Sequence, residues 1–290
     1  MIDYIALAFQ NLYVIYSNLF VTVAILAVVF TGLAVFASQA CDPARKWWRN
    51  RELPTDVCYA LSITFLQPYL TLPAAFLIFA CFSPVMTAAE FKDFVTNGRG
   101  PLAGIGFGWQ VVAYLIGYDF LAYWTHRGFH SAMLWRFHAI HHSSTEVDWQ
   151  SGYRFHPVNT ALSPCLVAAA LLTLGISPEV PAMLAAFDVL MSGMVHANLN
   201  WTFGPFKYVL ASPVFHRWHH GPANDGGSMN FAPTFPIFDV MFGTFFMPKD
   251  RLPLQFGVDN PNFPKAFLAQ VLYPFKPQAE PTMTPPVAQG

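Results

Sequence analysis

All ten histidines of this 290-residue chain lie between His126 and His220. The long segments before and after that stretch contain none. Histidines kept only for packing would not be confined in this way. The segregation indicates a shared chemical role, and it restricts the fold to one that brings this stretch together.

The spacing of these histidines suggests common faces on helices. Residues three or four apart on an α-helix face the same side. This spacing occurs in three boxes: His126-x3-His130, His138-x2-His141-His142 and His216-x2-His219-His220. Neutral imidazole is the most common protein ligand for iron, zinc, copper and nickel. The boxes hold more imidazoles than the three or four that one zinc ion binds, so the count favours a dinuclear site.

The composition indicates a membrane protein. Hydrophobic residues make up 54% of the chain and charged residues 11%, whereas soluble domains contain about 25% charged residues. The net charge of −1 and the lack of a basic run argue against nucleic-acid binding. The four cysteines form no C-x-x-C pair, so disulfides are not implied.

Uncharged runs predict an all-α integral membrane protein with about three spans. A spanning helix needs about 20 apolar residues, and such runs lie near 18–39, 57–82 and 102–124. Four basic residues between positions 42 and 56 place that loop on the cytoplasmic side. The prolines in the second run leave open an alternative, in which residues 57–89 form a tight hairpin and the later topology is inverted.

Residues 157–197 predict a membrane hairpin or a shallower re-entrant pair, because two short apolar segments flank a proline-containing turn. Either form returns His196 to the side that His156 leaves, so the histidines form a helical cap facing the cytoplasm. The predicted organisation is a transmembrane region (1–101), a catalytic domain that includes the hairpin (102–250) and a C-terminal segment with a disordered Pro-rich tail (251–290).

Further motifs accompany the boxes in a fixed order. They are Asp119-x3-Tyr123-Trp124, Trp135-Arg136-Phe137, Arg154-x-His156-Pro157, His196-Ala-Asn198 and Phe238-Asp239-x2-Phe242-Gly243-Thr244. Together with the boxes they resemble the sterol desaturase / fatty acid hydroxylase superfamily over roughly residues 110–247. The resemblance implies that the box histidines bind two iron ions in a cytosol-facing site. It also implies that the protein uses O2 to hydroxylate, desaturate or demethylate a lipid.

The candidate site residues are metal ligands and the groups that orient them. The ligand candidates are His126, His130, His138, His141, His142, His156, His196, His216, His219 and His220. His156 could instead hydrogen-bond a ligand. Hydrogen-bonded neighbours orient ligating imidazoles, and Asp119, Asn198 and Asp239 are expected in that role. Asp148 and Asn230 are further candidates, and Asp119 could instead pair with Arg127 or Arg136.

Two other functions fit a histidine-rich membrane protein: a zinc hydrolase and a metal-binding transporter. A zincin needs the sequence H-E-x-x-H, and neither spaced box supplies its glutamate. Transporters place their ligands near the bilayer midplane, whereas these boxes lie at or beyond the predicted span ends. Both features favour the iron oxidoreductase.

The chain lacks haem-binding, iron–sulfur and dinucleotide-binding motifs. Electrons are therefore expected from an external donor, such as a cytochrome b5-like or ferredoxin-type carrier with its reductase. That donor is predicted to dock near Arg136, Arg217 and Lys249. The expected partners are this donor, the lipid substrate and membrane lipid, with no nucleic acid.

Cysteine labelling in a variant without the native cysteines tests the predicted topology. A membrane-impermeant reagent should label a cysteine at Val95 in intact cells. Cysteines at Arg49 and Asp225 should react only after permeabilisation, because the loop and the histidine cap face the cytoplasm. Labelling at Asp225 in intact cells would contradict the arrangement.

Overall fold

The computed structural model describes residues 20–33, 35, 40–82, 87, 89, 90, 100–177 and 179–276, without the side chains of 67, 68, 70–82 and 182. Over these residues the protein consists of helices, turns and loops, with no β-strand. The all-α prediction is therefore confirmed for this part of the chain. The predicted tail from residue 277 and most of the loop 83–101 lie outside it.

Helices α1 (Phe20–Leu33), α2 (Leu53–Phe82) and α3 (Phe107–Phe129) occupy the three predicted spans. Helix α2 is continuous through Pro68 and Pro73, so the chain adopts the single helix rather than the tight hairpin. Helix α3 extends beyond the predicted end and carries His126 in its last turn, with His130 as its C-cap. By length and apolar composition, one helix of the described chain, Pro157–Leu174, could cross a membrane. The number of spans stays a prediction.

Helices α5 (Pro157–Leu174) and α6 (Glu179–His196) form a helical hairpin at the predicted position, and its insertion in a membrane stays a prediction. Gly175 ends α5 with a φ of +92°, a left-handed conformation that favours glycine. A β-carbon on Gly175 would also lie 2.7 Å from the amide nitrogen of Ala103. The Leu102 amide donates a 2.9 Å hydrogen bond to the Leu174 carbonyl, which fixes the segment before α3 against the hairpin tip.

Short helices and 3-10 turns cover the opposite end of this bundle. They are α4 (Trp135–His138), α7 (Pro213–His219), α8 (Ile237–Met241) and α9 (Phe267–Leu272), with 3-10 turns at His141–Ser143 and Trp149–Tyr153. Helix α7 begins where the Ser212 hydroxyl accepts a hydrogen bond from the Phe215 amide. The ends of α3 and α6 therefore meet the segments that carry the other histidines.

A buried ion cluster attaches α2 to the segment that follows the second histidine box. The Arg154 side chain is 1% exposed. Its Nε lies 2.7 Å from the Asp56 carboxylate, and its Nη1 lies 3.0 Å from the Glu52 carboxylate. Because an unpaired charge is strongly disfavoured in a protein interior, this contact fixes the position of the start of α2.

Replacing Arg154 alone should destabilise the fold strongly. Arg154→Gln leaves the buried Asp56 carboxylate without its cation, and breaking a buried pair typically reduces stability by about 3–5 kcal/mol. Thermal unfolding in detergent, followed by circular dichroism, measures the change. Arg251→Gln is the matched control, because its pair with Asp225 is exposed to solvent and should contribute little. Equal effects of the two substitutions would contradict the assignment.

Candidate metal centre

Nine of the ten histidines converge into two adjoining groups. In each group, every histidine offers one ring nitrogen, and these nitrogens all lie within 4.8 Å of one another. The five-histidine group contains His126, His130, His138, His142 and His219, and the four-histidine group contains His141, His196, His216 and His220. The second and third boxes each divide between the groups, so neighbouring histidines in the chain serve different groups.

Local backbone structure differs between the second and third boxes. The third box lies on α7 as predicted, with His216 and His219 in the helix and His220 as its C-cap. The prediction of one shared helix face is wrong for the second box. His138 ends the short helix α4, a turn follows, and His141 and His142 lie in a 3-10 turn. The break in the helix turns these adjacent rings in different directions.

Backbone carbonyls fix the tautomers of four histidines. The Nδ1–H groups donate to carbonyl oxygens in the pairs His126–Phe231, His196–Ser192 and His219–Met229 at 2.7 Å, and His141–Arg154 at 3.2 Å. A carbonyl oxygen can only accept, so the proton resides on Nδ1 and Nε2 keeps a free lone pair. In the same way, Nδ1 of His138 lies 3.1 Å from the Asn159 amide oxygen.

These lone pairs face one another in the interior. The Nε2 atoms of His126 and His138 are 3.1 Å apart, and those of His141 and His196 are 3.4 Å apart. With their protons on Nδ1, neither pair has a hydrogen to share, so the contacts are repulsive unless a cation lies between them. Two nitrogens that bind one ion at about 2.1 Å, with bond angles of about 90–110°, are separated by about 3.0–3.4 Å. The donor set therefore fits metal binding.

Burial and mutual proximity keep the histidines of the two groups neutral. The pKa values of His138, His142 and His219 lie well below the ordinary value, mainly because burial disfavours the charged form and secondly because neighbouring imidazoles would repel its charge. His130, His142 and His219 also have buried Nε2 atoms without a hydrogen-bond partner among the described residues. Neutral, unpaired imidazole nitrogens are the form that binds metal ions.

His156 lies outside both groups. Its Nδ1 accepts a 3.0 Å hydrogen bond from the Val158 amide and caps the start of α5. Its Nε2 therefore carries the proton and donates a 3.2 Å hydrogen bond to the Val271 carbonyl. With both nitrogens engaged, the structure does not support the predicted ligand role of His156. The other histidine outside the boxes, His196, lies in the four-histidine group.

The predicted partners act on the backbone rather than on the imidazoles. Asp119 accepts 2.8 Å hydrogen bonds from the Thr234 and Phe235 amides, so the expected contact with a histidine, Arg127 or Arg136 is not formed. Asp239 accepts from the Phe231 amide at 2.7 Å. The Phe231 carbonyl accepts the hydrogen bond from His126. Asp239 therefore supports that histidine indirectly, through the backbone of Phe231.

Asn230, Asn198 and Asp148 have similar indirect roles. The Asn230 amide donates to the carbonyls of Phe215 and Phe246 at 2.8 and 2.6 Å, which holds the loop that includes the Met229 carbonyl. The Asn198 side chain accepts from the Asp42 amide at 3.0 Å and donates to the Asp42 carbonyl at 2.8 Å, while its backbone amide donates to the Asp148 carboxylate at 3.3 Å, immediately after α6. Sequence reasoning missed the backbone carbonyls themselves, because any residue type can supply them.

A cavity of about 250 Å³ adjoins both histidine groups. It lies between α3, α5 and α6, and five histidines form its inner wall. These are His126, His138, His141, His196 and His216, and the remaining wall includes Tyr118, Ala122, Phe129, Phe155, Ser163, Asp188, Met191 and Val195. The mostly apolar wall can hold a hydrocarbon chain against the histidines.

The prediction that Arg217 docks an electron donor is wrong, because this side chain is fully buried. Its Nη1 donates to the Val147 carbonyl at 2.5 Å and to the His196 carbonyl at 3.3 Å, and so it stabilises the end of α6. Arg136 and Lys249 are exposed, as that prediction requires.

Metal content of single variants tests the two-group arrangement. Iron-loaded protein should hold two ions per chain, and His220→Ala, which removes a donor from the four-histidine group, should selectively lower the content towards one. His156→Ala is the matched control and should retain both ions, because its nitrogens contact the backbone. Elemental analysis of purified protein gives the ratios. Equal losses in the two variants would contradict the arrangement.

Comparisons with known proteins agree with the resemblance that the sequence motifs show. The fatty acid hydroxylase family model matches residues 111–244. The ornithine lipid hydroxylase OlsE of Rhizobium tropici is 32% identical over 167 residues, which are 57% of this chain and 50% of that protein. Alkylglycerol monooxygenase of Homo sapiens is 29% identical over 154 residues, which are 53% of this chain and 34% of that protein.

The chain thus spans about half the length of the first of these relatives and about a third of the second. No solved structure matches the chain. The matched region contains every histidine of both groups, together with Asp119 and Asp239. Residues 111–244 thus match the fatty acid hydroxylase family model, in agreement with the sterol desaturase / fatty acid hydroxylase superfamily that the motifs resemble.

Proposed function

We propose that this protein is a membrane-bound, di-iron oxidoreductase that uses O2 and external electrons to hydroxylate or desaturate a C–H bond of a lipid. One observation carries the proposal: two all-histidine groups, with lone pairs directed inward, adjoin a mostly apolar cavity. The names of the relatives, a lipid hydroxylase and a monooxygenase, support insertion of an oxygen atom.

The five-histidine and four-histidine groups would each hold one iron ion. Two bound iron ions supply the redox chemistry that reduces O2 and attacks an unactivated C–H bond. Histidine donors are neutral, so the site keeps the positive charge of the metal ions. The carbonyls of Phe231, Met229 and Ser192 hold protons at Nδ1 of three ligands and thereby fix the direction of each ring.

The cavity residues position the substrate and exclude water. Phe129 on α3 and Met191 and Val195 on α6 present apolar surface beside the histidines. A hydrocarbon chain held there places an inert carbon against the centre without competing polar groups. Asn159, which lines the same wall, also holds the ring of His138.

A zinc hydrolase fits this site less well. Both groups contain only histidines, so no carboxylate is available there as a general base. Among the described residues lining the cavity, the acidic side chain is Asp188. Asp188 precedes His196 by eight residues on α6, which corresponds to about 12 Å along the helix axis. A carboxylate two helical turns from His196 is poorly placed to activate a water molecule bound beside that histidine.

A transporter is also less consistent with the geometry. The histidines lie at the ends of α3 and α6 and in the short segments beyond them, rather than at the centre of an apolar helix. The proposed arrangement is a multi-pass protein whose histidine-bearing end faces the cytoplasm. The donor would dock there, near the exposed Arg136 and Lys249.

Oxidation with isotopically labelled O2 tests the function. Iron-loaded protein in lipid bilayers, supplied with a carrier and its reductase, should place one labelled oxygen in a lipid product, detected by mass spectrometry. Loss of two hydrogens instead would identify the desaturase branch. His219→Ala should reduce turnover by at least about 100-fold, whereas His156→Ala should remain active.

Two controls make this assay decisive. Because the site residues include no electron carrier, NAD(P)H without the carrier and reductase should support no repeated turnover. Repeated turnover with NAD(P)H alone would contradict the requirement for an external donor. Failure of the fully iron-loaded and reduced protein to oxidise any lipid extracted from its own cells would overturn the proposed function.

A further inference from the structure

We call the cavity of about 250 Å³ against the histidines the reaction cavity. A second cavity, of about 260 Å³, lies beside it. It is formed by α2, the first turn of α5 and α9, and its described wall includes Ile63, Leu66, Pro157, Phe267 and Val271. The wall is mostly apolar, with Tyr59, Ser62 and Thr160 as its polar members. None of these residues has a part in the proposed chemistry.

Phe155 is the one residue shared by the described walls of the two cavities. Its ring stacks on His141, with 4.1 Å between ring centres and 11° between the planes. Its neighbours in the chain are both fixed, since Arg154 joins the buried ion cluster and His156 caps α5. The backbone of Phe155 is therefore fixed on both sides, and its ring separates the histidines from the second cavity.

We propose that the second cavity is a binding subsite for a hydrocarbon chain, and that Phe155 sets how far the chain of a lipid substrate can extend. The proposal rests on the proposed function, in which the reaction cavity holds a lipid chain. The occupant follows from the setting: the wall is mostly apolar, and it lies between α2 and α5, which come from two of the most apolar stretches of the chain.

Removing the ring should join the two spaces. The cavities have similar volumes, so their connection would about double the space available to a chain. Each methylene group that enters an apolar site raises affinity by about fourfold. Phe155→Ala should therefore extend the longest chain that the protein binds tightly, with little change for short chains that never reach residue 155.

The test measures binding separately from turnover. Iron-loaded protein, kept without reductant, is titrated with decanol, dodecanol, tetradecanol and hexadecanol. In the unmodified protein, affinity should stop rising at an intermediate length. In Phe155→Ala it should continue to rise by about fourfold per methylene. Adding Ile63→Trp, which fills the second cavity from α2 without contacting His141, should restore the shorter limit.

Two further variants keep the result interpretable. Phe155→Leu retains apolar contact with His141 and gives the answer if Phe155→Ala loses iron. Phe263→Ala is the matched control, because this ring packs on Tyr273 and lines neither cavity. The same length limit in unmodified, Phe155→Ala and Phe155→Leu protein would overturn the proposal. Absence of oxidation with a shifted binding limit would instead reject the proposed function alone.

Discussion

The central physical constraint on this structure is that nine neutral, mostly buried histidines direct their lone pairs at one another, which is favourable only if a cation relieves the repulsion. Their Nε2 lone pairs point inward at separations such as 3.1 Å between His126 and His138, and such an arrangement is stable only with metal ions between the rings. Each ring must also be prevented from rotating. Backbone carbonyls at Phe231, Met229 and Ser192 do this by accepting the Nδ1 protons. Carboxylates such as Asp239 act one layer further out, on the peptides that carry these carbonyls.

This layered support explains why so many polar groups are buried in a hydrophobic chain. The Arg154 carbonyl accepts a hydrogen bond from His141. The Arg154 side chain pairs with Glu52 and Asp56, which lie just before α2 and in its first turn. Asp119 holds the amides of residues 234 and 235, next to the loop that contacts the five-histidine group. Because an unpaired buried charge is costly, each of these side chains fixes a backbone segment firmly. Rigid segments in turn keep the imidazoles in the orientation that metal binding needs.

The family match and the rest of the chain contribute different parts of the active region. Residues 111–244 supply both histidine groups and the walls of the reaction cavity. The partners of Arg154 lie immediately before α2 and in its first turn, outside that match, as do Ile63, Leu66 and Val271 of the second cavity. The shared region thus provides the proposed chemistry, whereas the proposed chain subsite is lined by residues of both the shared region and the flanking helices.

The sequence by itself predicted the helical class, a helical hairpin at 157–197 and a converging set of ten histidines, of which nine converge in the structure. Apolar run length and histidine spacing are local properties, and they survive folding unchanged. Only the tertiary structure decided which group each histidine joins, because a turn between His138 and His141 redirects rings that spacing alone would align. It also separated His156 from the ligands and buried Arg217, since both outcomes depend on distant backbone carbonyls such as those of Val271 and Val147. A backbone carbonyl has no sequence signature, so its role emerges only when the chain is folded around it.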